Sequence, residues 1–166
     1  ALLQRDEAMI ADAAQLLGTQ SDDLIGGVQR KIDEVKDLQD QIKTLRSQLA
    51  AGRAEELAEI AVEGVVVTQV DGLAPGDMRE LAVAVRQREG IKVVVLIGET
   101  DTGGVALVAA VQPGNTKPAS LLIKDAAKAV GGGGGGKGDI ATAGGKDPSG
   151  IPTALGIAAE AVGQVL

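Results

Sequence analysis

The chain has 166 residues, with no Cys, no His and no Phe, Tyr or Trp, and a formal net charge of −7. These absences exclude disulfides, thiolate and imidazole metal ligation, any Ser-His-Asp arrangement, and the stacking of nucleobases on aromatic rings. The negative charge argues against an indiscriminate attraction for nucleic acid, and no apolar run approaches the roughly 18 residues that a membrane helix needs.

Residues 2–17 read as a helix, with Leu2, Leu3, Met9, Ile10, Ala13, Leu16 and Leu17 recurring every three to four positions. The chain starts in mid-pattern and without a Met, so an excised or processed piece of a longer chain is expected. Gly18 ends the first helix and Ser21 or Asp22 can cap the next. The second helix carries Val28, Val35, Ile42 and Leu49 seven residues apart, with Leu38 and Leu45 at the companion heptad position. This is a short coiled-coil seam, interrupted at Lys31, Gly52 and Glu56. An apolar stripe of this kind needs a cover. The first helix folding back as an antiparallel hairpin is the expected one, and a second chain in a homodimer is the rival. Residues 1–62 hold 7 basic and 12 acidic residues, so most of the acidity lies in this arm.

Beyond the arm the pattern changes. Gly64–Val70 is β-branched and reads as a strand. Asp71-Gly72 and Pro75-Gly76 mark a turn. Asp77–Arg88 reads as a helix with Met78, Leu81, Ala82 and Val85 inward and Arg79, Arg86 and Arg88 outward. Ile91–Ile97 reads as a central strand, parallel to the first by the strand–helix–strand rule. Glu99–Gly104 is a turn, and Val105–Val111 its hairpin partner strand. Pro113-Gly114-Asn115 breaks that strand. A helix over Lys117–Val130 follows, with Leu121, Leu122, Ala126, Ala129 and Val130 inward. After the glycine-rich stretch come a short strand at Ile140–Ala143, a cap at Asp147-Pro148 and a closing helix over Ala154–Leu166. The fold class expected is α+β: an N-terminal helical hairpin or coiled-coil arm over residues 1–62, then a small α/β domain with a mixed sheet over residues 63–166.

The stretch that carries most information is the glycine-rich loop 131–145. It holds Gly131, Gly132, Gly133, Gly134, Gly135 and Gly136, then Lys137, Asp139, Ala141 and the pair Gly144-Gly145, followed by Lys146, Asp147 and Pro148. Six glycines lose much backbone entropy on ordering, so the run persists only where side chains would collide or where the chain must flex. Three explanations stand open: close packing against the chain's own sheet, close approach of the backbone to RNA or phosphate, and a plain linker. Residues 117–146 also gather Lys117, Lys124, Lys128, Lys137 and Lys146 against Asp125 and Asp139, a modest basic patch on an acidic chain.

The glycine run with Lys-x-Asp-x-Ala-x-x-Gly-Gly and Lys146-Asp147-Pro148 resembles the signature of the C-terminal domain of alanyl-tRNA synthetases, a module of the DHHA1 type also found in DHH-type phosphoesterases. The order of elements fits that family over nearly the whole chain. The phosphoesterase relatives commonly have a His after the glycines, where this chain has Lys137, and Gly138 stands where Pro is common in the synthetase branch. The resemblance implies a cytoplasmic, tRNA-binding module. Its site is expected at Gly131, Gly132, Gly133, Gly134, Gly135, Gly136, Lys137, Gly144, Gly145 and Lys146. Its partners would be tRNA(Ala) at the outer corner, the upstream synthetase domains and a homodimer mate through the arm, with no membrane. Catalytic residues, metal and cofactor are expected to be none in this segment, since the resemblance assigns ATP, Mg²⁺ and Zn²⁺ chemistry to upstream domains. Two other readings remain: a non-catalytic substrate-binding domain of a DHH-type phosphoesterase, and a purely structural oligomerisation module. Asp71, Asp77, Glu99, Asp101, Asp125, Asp139 and Asp147 show no fixed spacing for acid–base or metal work, and turn, cap and surface roles account for most of them.

Overall fold

The computed structural model describes residues 2–114, 118–136 and 138–163. The chain divides into two units, residues 1–46 and 47–166.

The first unit is helical. Helix α1 (Leu2–Leu17) buries only Ala14. Gly18 closes it in the left-handed region at φ +65°, and a short 3₁₀ turn at Ser21–Asp23 leads into helix α2 (Leu24–Glu59). Gly27 makes this junction tight, because a Cβ there would press on the side chain of Thr19. Arg30 donates to Thr19 Oγ1 at 3.1 Å and to Asp23 Oδ2 at 2.8 Å. The hairpin cover expected for the seam is not formed. Leu17 borders a shallow groove with Val28, Ile32 and Val35 beside the junction, but Val35, Ile42 and Leu49 stay 53%, 50% and 71% exposed. The 16 residues of α1 leave their own Leu2, Leu3 and Leu16 in solvent as well. Helix α2 runs through Gly26, Gly27 and Gly52 without a break and is 36 residues long, about 54 Å at 1.5 Å per residue.

The last turns of α2 belong to the second unit. Ala54 is fully buried, and Leu57 and Ala58 pack beside it against Val66, Met78 and Leu81. The compact unit that holds the sheet thus includes the chain from Ser47 onward. The strands are β1 (Val65–Gln69), β2 (Val93–Glu99), β3 (Val105–Val111), β4 (Gly133–Gly135) and β5 (Ile140–Gly145), in the sheet order β1-β2-β3-β5-β4. β1 pairs parallel with β2, and the other pairs are antiparallel, so the sheet is mixed, as expected.

Residues of alternating parity on the central strands feed two cores. On one face Val94, Leu96, Ala106, Val108 and Ala110 meet helix α3 (Pro75–Arg86) and the end of α2. On the other, Val93, Val95, Ile97, Leu107 and Ala109 meet helices α4 (Ser120–Ala129) and α5 (Ile151–Gly163). Full burial of a Leu, Met or Val on these faces contributes roughly 1.5–3 kcal/mol. One inward assignment fails. Leu121 is 48% exposed, and the buried positions of α4 are Leu122, Ile123, Ala126 and Ala127. Among the described residues no helix is long and apolar enough to cross a membrane.

Candidate functional site

The glycine stretch begins as a helix stop. Gly131 stands at φ +64° after the C-cap Val130. Its N–H donates to the Lys128 carbonyl at 3.1 Å, and the Gly132 N–H reaches the Ala127 carbonyl at 2.9 Å. These two bonds are the Schellman pattern, which satisfies the last carbonyls of α4 and needs a residue tolerant of positive φ. The chain then forms the edge strand β4, an element absent from the sequence-based expectation because glycine is a poor strand former. β4 pairs with β5 in the register Gly133↔Gly144, Gly134↔Ala143 and Gly135↔Thr142. At the far end Asp147 accepts from the Ser149 backbone N–H at 3.0 Å. It thereby caps the 3₁₀ turn Pro148–Gly150 that leads into α5.

The two faces of this glycine hairpin differ. On one face a Cβ at Gly132 or Gly134 would overlap the β5 backbone at Gly144 or Ala143, and one at Gly136 would stand 2.6 Å from Ala141 Cα, although Gly134 and Gly136 are themselves exposed. Gly145 is similarly pressed on Val130. Here glycine is required by packing. On the outer face nothing lies within 4 Å of a Cβ at Gly133 or Gly135, and neither has a positive φ. Their cross-strand partners Gly144 and Thr142 share this face, and all four are exposed. Among the described residues no contact accounts for glycine at Gly133 and Gly135, where it weakens a strand.

Of the five lysines of the basic patch, Lys124, Lys128 and Lys146 lie on exposed positions, while Lys117 and Lys137 fall outside the described residues. Lys128 bridges Asp125 at 2.7 Å. That hydrogen bond, with the positive charge behind it, holds the Asp125 carboxyl below its usual range. The pair is present above the ordinary aspartate range and is lost only as pH falls through the lowered value.

Two of the three arginines read as outward-facing are engaged. Arg88 donates to the Ala51 carbonyl at 2.9 Å. Arg86, 12% exposed, pairs with Asp139 at 2.7 Å. Sequence reasoning missed this pair, since the partners are 53 residues apart. Asp71 accepts from the Glu99 backbone N–H and from Gln69, both at 2.8 Å, tying the end of β1 to β2. The Glu99–Gly104 segment is a hairpin turn, with Thr100 N–H to the Gly104 carbonyl at 2.7 Å and Gly103 at φ +86°. Among the described residues no group of three or more acidic side chains is placed to hold a metal ion.

Fold and site together define a helical arm followed by a three-layer α/β module with an all-glycine strand at one sheet edge. The DHHA1 domain family model matches residues 63–164, and the chain belongs to that family. Within it the likeness is to the C-terminal domain of alanyl-tRNA synthetases rather than to a catalytic domain. The chain is 36% identical over 168 aligned positions to an alanine–tRNA ligase of Anaeromyxobacter dehalogenans, covering 98% of this chain and only 18% of that ligase. The crystal structure of the C-Ala domain from Aquifex aeolicus alanyl-tRNA synthetase superposes with a TM-score of 0.52 at 28% identity, covering 58% of this chain and 88% of that one. RecJ from Thermus thermophilus, solved in complex with Mg²⁺, gives a TM-score of 0.55 at 17% identity over 92% of this chain and 24% of that one, a likeness of fold.

Proposed function

We propose that this chain is the tRNA-binding C-terminal module of an alanyl-tRNA synthetase, gripping the outer corner of tRNA(Ala) while upstream domains carry out aminoacylation and editing. In this reading it works in the cytoplasm, and ATP, Mg²⁺ and Zn²⁺ act only in those upstream domains. The observation that carries the reading is the exposed face of Gly133 and Gly135, shared with Thr142 and Gly144, where among the described residues no contact requires glycine at 133 or 135. Bare backbone there lets a bulky, rigid partner approach closely. Without aromatic residues recognition must proceed by shape and backbone rather than by stacking on rings. Lys137, next in sequence after the six glycines, and Lys146, next after Gly145, are the proposed phosphate contacts. The 36% identity to a ligase, against 17% to RecJ, favours the synthetase reading over the phosphoesterase one.

The test is a titration of labelled tRNA with wild type and Gly133→Val at two salt concentrations, alongside thermal melting. Retained melting temperature with weakened binding supports the reading. No detectable binding by folded wild type at low salt overturns it for this chain.

A second reading applies to the arm. The uncovered heptad face of Val35, Ile42 and Leu49 fits self-association through α2. It is compatible with the first reading, because it uses a different surface.

A further inference from the structure

We infer that Arg86 is a positioning residue for the glycine hairpin, acting through Asp139; the inference rests on the RNA-binding reading of that hairpin. Arg86 is the last residue of α3. Its Nη1 donates to Asp139 Oδ2 at 2.7 Å and to the Val111 carbonyl at 3.0 Å. The Val111 N–H donates in turn to the Asp139 carbonyl at 2.8 Å. The Gln112 side chain donates to the Arg86 carbonyl at 3.1 Å and to the Ile91 carbonyl at 2.7 Å, holding the end of α3 in place. One residue earlier the Gly138 carbonyl accepts from the Ala119 N–H at 3.0 Å. The point where the chain returns from β4 to β5 is thus tied to the end of α3, the end of β3 and the start of α4.

β4 needs such a tie. It is three glycines long at the sheet edge and has no side chain with which to pack. Its geometry is set by its pairing with β5 and by its two ends. The Schellman stop at Gly131-Gly132 holds one end. At the other, Gly138 sits at φ +87°, a position with little intrinsic stiffness, and the Arg86–Asp139 pair fixes the residue that follows. The guanidinium is mostly withdrawn from water, so its charge-assisted bonds count for more than an exposed pair would. Loss of the tie lowers the fraction of molecules with the outer face formed, and apparent affinity falls by that fraction.

The experiment compares wild type, Arg86→Gln, Arg86→Lys, Asp139→Asn and the double variant Arg86→Gln/Asp139→Asn. Three quantities are read: amide hydrogen exchange of residues 132–136 and 138–143 against that of β2 and β3, the unfolding midpoint, and tRNA affinity across a salt series. Expected are roughly tenfold faster exchange confined to the hairpin, several-fold weaker tRNA binding at an unchanged salt slope, partial recovery with lysine, and no added loss in the double variant. Exchange that rises uniformly over the sheet, or does not change, overturns the inference. So does a reduced salt slope, which would make Arg86 a phosphate contact. Should Arg86→Gln fail to fold, Asp139→Asn, which keeps shape and removes charge, carries the same comparison. Absence of tRNA binding by wild type overturns the RNA reading, while the exchange data still decide whether the tie holds the hairpin.

Discussion

Gly145 lies against the side chain and carbonyl of Val130, so that a Cβ at residue 145 would overlap both. The same Val130 carbonyl accepts the backbone N–H groups of Lys146 and Asp147, at 2.9 and 3.0 Å. The end of α4 and the end of β5 are therefore locked together where the glycine hairpin leaves and rejoins the domain. Gly145→Ala, Gly132→Ala and Gly134→Ala should each destabilise by about 1–3 kcal/mol, the usual cost of forcing atoms into a packed site. Chemical denaturation of the three variants checks this; wild-type midpoints would show that the hairpin has room to relax.

Gly133 and Gly135 should behave in the opposite way. With open space above them, Gly133→Ala and Gly135→Ala should leave stability within about 0.5 kcal/mol or raise it, since glycine in a strand costs roughly 0.5–1 kcal/mol relative to alanine. The same two variants should bind tRNA more weakly than wild type. Melting curves and titrations run on one preparation separate the two effects.

Lys146 and Lys137 supply the electrostatic part of the proposed interface. Replacing both with Ala should reduce the slope of log affinity against log salt by about one to two units, if each meets one phosphate. An unchanged slope would move the phosphate contacts elsewhere, with Lys124 and Arg79 next in line.

The exposed seam predicts association. Sedimentation over a range of concentrations should reveal a self-associating species that Ile42→Asp abolishes. The globular unit should keep its unfolding midpoint in that variant, because Ile42 belongs to the helical unit. A wild type that stays monomeric at all concentrations would leave α2 exposed in solution.

Ala54→Asp is the complementary change. Ala54 is fully buried in the core with Val66, Met78 and Leu81. A carboxylate there has no partner, and the globular unit should lose about 3 kcal/mol or more. Normal stability in this variant would mean that the end of α2 is dispensable to the α/β unit.

Much of this was legible from residue order. The β-branched runs at Val65 and Val93, the 3.6-residue period through Met78, Leu81 and Val85, and the parallel crossover between the first two strands are local or nearly local signals. They survive because each buried face repeats at the period of its element. The outward position of Leu121 was legible too: Lys124, Asp125 and Lys128, three, four and seven residues on, form an exposed polar stripe on the same face of α4, and it outweighs the apolar character of Leu121 itself. A heptad seam shows that a face is apolar but not what covers it, and Ala54 is too small to signal a core position by itself.

By itself, the sequence determined the chemistry that is ruled out, the order of the elements apart from β4, the mixed sheet and the family signature at Gly131–Gly145. These follow from composition and from patterns that need no knowledge of distant contacts. Only the tertiary structure decided that the glycines form an edge strand with a packed face and an open face, and that Arg86 reaches Asp139. Both depend on which backbone lies beside β5 and on where α3 ends relative to β3. Those placements are set by the burial of two cores on opposite faces of one sheet, and no spacing along the chain records them.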